Sequence, residues 1–291
     1  STQGEVSELL GQMYKSNLLA IDTTPETEQL LSRGRERLKR RISQQAIGIM
    51  YFREKLFNPD RYLTWLEPIL RPLINGWGFL LWCAWVTWAI VRVAPHTEAL
   101  QGAFKDAIAP AEWFSVFCVF VVIKAIHETG HGIICKRFGG QVPEFGAMLL
   151  VLLPSPYVDA SATWAFASKW KRMAVGAGGM IFELAVAAAA AHYWVATLAD
   201  SGSLGHKLAF NAMITASVTT VLFNAYPLMR FDGYYILSDL LEVPNLMQRS
   251  TRMLQHLAQK YIYRVEQTRP PATTTSEQVT LVVYGVLAMA Y

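Results

Sequence analysis

His127, Glu128 and His131 spell H-E-x-x-H inside IKAIHETGHGIICKRF, residues 123–138. Side chains four residues apart on an α-helix project from one face, so both imidazoles can reach a single metal ion. Glu128, beside the first ring, can hold and deprotonate a water at that ion. The uncharged run WFSVFCVFVV, residues 113–122, comes directly before. In such surroundings ionisable groups are expensive, on the order of a few kcal/mol each on insertion scales, so two histidines and a glutamate imply function and a partner. A zinc ion is such a partner, and a nitrogen and oxygen ligand set favours zinc. Gly130 and Gly132 leave little bulk near the rings, so a neighbouring helix or a substrate can come close.

Hydrolysis at a metal needs a third protein ligand and one open position. The candidates are Glu144, Asp159, Glu183, His192, His206, Asp232 and Asp239, with Cys135 on the same helix face as the histidines. Asp232 is the best placed. NAYPLMRFDGYY, residues 224–235, closes a later apolar run at the end that carries basic residues, as Lys136 and Arg137 do after the histidine helix. Pro227 and Gly233 break the helix there and turn Asp232 inward.

These residues need apolar helices to hold them. The chain has 291 residues, 53% hydrophobic and 16% charged, with mean hydropathy +0.24; soluble domains carry about 25% charged residues. A span needs roughly 20 apolar residues. Four runs qualify, Leu73 to Ile90, Trp113 to Cys135, Met173 to Leu198 and Leu208 to Met229, and a fifth begins near Val279 and is cut off at Tyr291. GAMLLVLLP, residues 146–154, is too short to cross and is flanked by prolines. It predicts a short membrane-embedded β-hairpin or re-entrant segment between the second and third spans. The expected class is therefore an all-α polytopic membrane bundle carrying that one irregular element.

Orientation follows the Lys and Arg residues. Of 26, eleven precede residue 74, five lie between Lys136 and Arg172, and six between Arg230 and Arg269. The N-terminus, the hairpin side and the stretch after Arg230 are expected to face the cytoplasm, with short loops at 93–112 and 200–207 facing outward. The net charge of +4 is spread over these connecting stretches and builds no continuous basic face, so no nucleic-acid partner is expected. Cys83, Cys118 and Cys135 lie in or beside apolar runs and read as buried thiols.

Residues 1–72 are of another kind. Helical spacing over 5–20 and the basic run Ser32–Arg41 suit a cytoplasmic segment resting against anionic headgroups. Residues 47–70 read as an interfacial helix pair broken at Pro59. The remaining divisions are a core over 73–245, a cytoplasmic helix and linker over 246–278, and the start of a further transmembrane helix over 279–291.

HETGH in an apolar helix, followed by N-x-x-P-x-x-x-F-D-G at Asn224–Gly233, resembles the site-2 protease family of intramembrane zinc metallopeptidases over residues 73–245. The resemblance implies a compact bundle of membrane helices with Zn2+ held by His127, His131 and Asp232, and Glu128 as general base. It gives Asn224 the part of holding the substrate backbone or a developing oxyanion. Where the family commonly has G-P-x-x-N, this chain has GGMIFE, with Met180 for the proline and Glu183 for the asparagine. Glu183 either hydrogen-bonds a ligating imidazole from behind or is protonated and bonds a neighbouring helix.

An extended substrate could add to the hairpin by main-chain hydrogen bonds, which would make Gly146, Leu149 and Val151 a platform; otherwise the hairpin only plugs the bundle. Asp159 and Ser161 suit an N-cap. The N-terminal EVSELLGQMYKSNLL resembles the last helix of winged-helix peptide-recognition modules. Larger proteins that this chain resembles in HETGH and RFDGYYILSDLLEVPNL often continue into an export-associated, membrane-fusion-type segment. The reading implied is an endopeptidase of a bacterial inner membrane acting on a peptide precursor or membrane-protein substrate. The alternative is a zinc-containing component that binds peptides for export without cutting them.

Overall fold

The structure is a computed structural model that describes residues 13, 53–150, 153–263, 270–272 and 274–291. The helix expected over residues 5–20 (Met13 apart), the basic run Ser32–Arg41 and the platform residue Val151 lie outside the described residues. Residues Arg53–Tyr291 form one compact unit.

Its elements run β1 (Arg53–Phe57), α1 (Asp60–Leu70), α2 (Gly76–Val93), α3 (Thr97–Ala107), α4 (Trp113–Arg137), β2 (Phe145–Leu150), β3 (Leu153–Val158), α5 (Lys169–Ala196), α6 (Leu204–Val218), α7 (Asp232–Leu240), α8 (Leu246–Tyr261) and α9 (Thr275–Ala290). Three stretches are long and apolar enough to cross a membrane: Gly76–Ala107, Pro110–Arg137 and Lys169–Ala196. Their outer faces leave Trp77, Leu81, Ile90 and Phe114 exposed, as lipid-facing surfaces do.

Several expectations change. The fourth apolar run is not one α-helix: α6 ends at Val218 and the chain continues as a π-helical turn over Thr219–Asn224. The loop expected over 93–112 contains the amphipathic helix α3. Cys135 is buried, but Cys118 is exposed on α4. The helix expected before Pro59 is a strand over the described residues, while α1 does follow that proline.

β1 extends the expected hairpin into a three-stranded antiparallel sheet of order β1-β2-β3. Arg53 pairs with Met148 and Phe57 with Phe145. Phe57 also stacks on Phe145 at 5.1 Å, and the Arg53 guanidinium lies 4.0 Å over the Tyr157 ring. The strand is thus created by a partner some ninety residues away. The pairing also alters the role of β2. Gly146 sits in the central strand with both edges paired, and Leu149 is paired with Pro154. An incoming chain cannot add to β2 at Gly146, which is paired on both sides.

The long helices pack through small residues. A Cβ on Gly130 of α4 would lie 2.6 Å from the Gly178 carbonyl oxygen of α5, and one on Gly178 would lie 2.8 Å from that of Gly130. Backbone contact of this kind draws membrane helices together. Trp82 of α2 also ties to α5 by donating to the Ile181 carbonyl at 2.9 Å.

Asp60, at the start of α1, fastens the sheet end to α4. It accepts from Lys136 Nζ at 2.6 Å and from the Val142 backbone N–H at 3.1 Å. The Lys136 hydrogen bond, then that of Val142, holds the Asp60 carboxyl below its ordinary range. A carboxyl whose pKa falls on folding contributes stability above its unfolded pKa, and that contribution disappears as pH falls through the folded value. Asp60→Asn is therefore expected to cost on the order of 1 kcal/mol at neutral pH. In thermal unfolding of the detergent-solubilised chain, the difference from wild type should shrink on acidification.

Candidate metal centre

The second half of α4 buries His127, Gly130, His131 and the residues up to Cys135 against α5 and α1. Helical spacing sets the two rings on one face, 4.7 Å between centroids. The third group comes from a helix break. The π-turn ends at Asn224, the chain leaves helical form, and α7 restarts at Asp232. Gly233 makes this fit possible, because a Cβ there would meet the backbone carbonyls of Ala225 and Asn224.

His127, His131 and Asp232 converge so that one ligand atom from each lies within 4.8 Å of the others. His127 Nε2 is 3.0 Å from His131 Nε2 and 3.0 Å from Asp232 Oδ2, and His131 Nε2 is 3.4 Å from Asp232 Oδ1. Donor atoms about 2.0–2.1 Å from a tetrahedral zinc are about 3.3 Å apart, so these spacings suit a small cation.

The outer ring atoms supply a sharper test. His131 Nδ1 lies 2.7 Å from the Val175 carbonyl oxygen, which can only accept. His127 Nδ1 lies 2.8 Å from Glu183 Oε2. Each Nδ1 therefore carries the proton in the neutral ring, and each Nε2 presents a lone pair inward. Asp232 Oδ2 is buried with no hydrogen-bond partner. Three lone-pair atoms thus face one another with no donor among them, and a divalent cation satisfies all three. Gly179 keeps the space clear: a Cβ there would lie 2.5 Å from His127 Nε2 and 2.6 Å from His131 Nε2. The group could hold a metal ion.

A cleft of about 330 Å3 opens onto this centre, with Glu128, His131, Asp232 and Val158 among its walls and Trp164, Arg172 and Tyr235 further out. Glu128 Oε2 accepts the Val158 backbone N–H at 2.9 Å. That N–H points away from β2, so Pro156 and Pro154, in the same alternation, also turn their nitrogens outward and offer no donor.

The other candidates for third ligand have separate engagements. Glu144 is bound to Arg53 and Tyr157. Asp159 accepts the Ser161 backbone N–H at 3.0 Å, but the N-cap of the 3-10 turn Ser161–Ala165 is Ala160, with no side-chain cap bond, so neither Asp159 nor Ser161 is its N-cap. Asp239 is paired with Arg172 at 2.6 Å. His206 contacts the Thr197 hydroxyl at 2.9 Å, and His192 lies against Trp85 and Trp88. Cys135 Sγ neighbours Thr163.

Glu183, fully buried, lies behind His127 in the first of the two ways expected. Asn224 faces Glu183. Its amide nitrogen donates to Glu183 Oε2 at 3.0 Å, it is 8% exposed, and it is not among the cleft residues. It sits behind His127, so holding a substrate backbone does not follow from its geometry. Sequence reasoning missed Thr219, Thr220 and Lys124, all of which also bond Glu183. For Lys124 a signal existed, a lone basic residue inside an apolar run.

Gly179→Ala places a methyl group between the rings. It is expected to lower divalent-metal affinity at least about 10-fold while the helix content is kept, as read by chelator competition and circular dichroism. No family model, curated protein or solved structure matches this chain.

Proposed function

We propose that the chain is a membrane-embedded zinc endopeptidase of the site-2 protease type. The observation that carries this reading is the convergence of His127, His131 and Asp232 at the foot of a cleft that Glu128 also lines. A purely structural site needs ligands and has no use for a carboxylate beside them.

Zinc in this position supplies Lewis acidity, polarising a peptide carbonyl and making a water easier to deprotonate. Glu128 takes the proton from the attacking water, the water oxygen bonds to the carbonyl carbon, and Glu128 returns the proton to the nitrogen as the C–N bond breaks. His127 and His131 keep their Nδ1–H groups donating to the Glu183 carboxylate and the Val175 carbonyl throughout, which fixes the direction of both Nε2 lone pairs.

A helical substrate hides its peptide bonds, so the chain that enters the cleft is extended. The strand edge it meets there is that of β3 at Val158. Pro154 and Pro156 donate no hydrogen bonds, so any ladder is short and depends on donors of the substrate. Lys136 and Arg137, at the end of α4, and Lys169, Lys171 and Arg172, at the start of α5, lie toward the same end as the cleft. By the bias of basic residues this end faces the cytoplasm. A peptide precursor or a membrane protein of the same bilayer is the substrate class that fits.

Glu128→Gln is expected to retain zinc at wild-type stoichiometry and to lower kcat/KM about 10²- to 10⁴-fold. The assay is cleavage of candidate peptides by the purified chain in detergent, with and without chelator. Zinc and peptide binding with no chelator-sensitive fragment from any peptide, or unchanged turnover by the variant, contradicts the reading.

A further inference from the structure

Glu183 is 0% exposed, in the middle of α5, and every contact it makes is with a donor. Oε2 receives His127 Nδ1 at 2.8 Å, Thr220 Oγ1 at 2.8 Å and Asn224 Nδ2 at 3.0 Å. Oε1 receives Thr219 Oγ1 and, at 3.1 Å, the Lys124 ammonium. A carboxylate offers about four lone-pair sites, so this one is saturated. The π-turn makes that possible: the Ala225 N–H reaches back five residues to the Thr220 carbonyl at 2.8 Å. The widened turn brings Thr219, Thr220 and Asn224 to one side.

Four of the five donors are neutral groups or, in the case of His127, a ligand of the proposed metal centre. Lys124 alone brings a full opposite charge. It stands one helical turn before His127 on α4, its side chain 13% exposed, and among the described residues its ammonium bonds only Glu183. A lysine and a glutamate within apolar helices are each costly singly and tolerable as a pair.

We propose that Lys124 is a positioning residue of the metal centre: its ammonium compensates Glu183 and anchors Oε1, so that Oε2 stays aimed at His127 Nδ1 and His127 Nε2 stays aimed at the metal. The chain of contacts runs Lys124, Glu183, His127, metal. Loss of the lysine leaves an uncompensated carboxylate against a ligating ring. Loss of both charges leaves an amide that hydrogen-bonds its neighbours without needing a cation. The effects of the two substitutions should therefore not add. The inference rests on His127, His131 and Asp232 holding a metal and is independent of peptide cleavage.

The test is a double-mutant cycle on the full chain in detergent micelles, comparing wild type, Lys124→Met, Glu183→Gln and the double variant. Cobalt(II) is the probe, with affinity from chelator competition and the visible ligand-field bands as a signature of coordination. Lys124→Met is expected to weaken cobalt(II) binding roughly 10- to 100-fold and alter the bands. In the Glu183→Gln background the same substitution should cost less than about 3-fold.

Equal loss in both backgrounds, or unchanged affinity and spectrum in Lys124→Met, overturns the proposal. If Lys124→Met cannot be recovered as monodisperse protein, recovery of the double variant supports charge compensation, and failure of both refutes it. A wild-type chain that binds no cobalt(II) removes the metal centre itself, and this proposal with it.

Discussion

Lone pairs that converge inside a low-dielectric site repel unless something positive lies between them. His127 Nε2, His131 Nε2 and the Asp232 carboxylate are in that condition, with their outer hydrogen bonds arranged so that neither neutral ring can turn a proton inward. In water such a cluster would be relieved by solvent. Between apolar helices relief comes from a bound cation, and the surrounding structure serves to keep the three groups from moving apart.

That service is divided among the elements. α4 supplies both rings from one helix face, and α5 approaches so closely at Gly130 and Gly178 that its backbone carbonyl at Val175 and its carboxylate at Glu183 reach the backs of the rings. The π-turn after α6 then saturates Glu183 and delivers the chain to Asp232. The sheet stands on the other flank, where β3 holds Glu128 by a single backbone N–H at the wall of the cleft. That single hydrogen bond fixes the position from which Glu128 would pass a proton in the proposed reaction.

The triad was readable in the sequence because helical periodicity alone aligns His127 with His131, and because Pro227 and Gly233 signal the break that brings Asp232 inward. The hairpin was readable from length and proline flanks. β1 was not: REKLF has no alternation to detect and is exposed along its whole length, so only its pairing with β2 makes it a strand. The consequence was a misplaced binding edge, since Gly146 is internal once β1 is added. Helix α3 hid in a stretch too polar to read as a span. The π-turn is invisible to any test of apolar spacing, so nothing in the sequence showed that Asn224 would face Glu183 behind His127. Lys124 left a trace, a lone basic residue within an apolar run; the nearest acidic residue in the sequence is Glu128, four positions on, yet the ammonium bonds Glu183, 59 positions away on α5.

The most direct test of the metal centre is X-ray absorption at the zinc edge on the purified chain in detergent. The proposed function predicts one zinc per chain, bound by two imidazole nitrogens at about 2.0–2.1 Å and carboxylate or water oxygen, with no sulfur shell near 2.3 Å. A sulfur shell, a six-oxygen environment, or no retained zinc in a folded chain would contradict it.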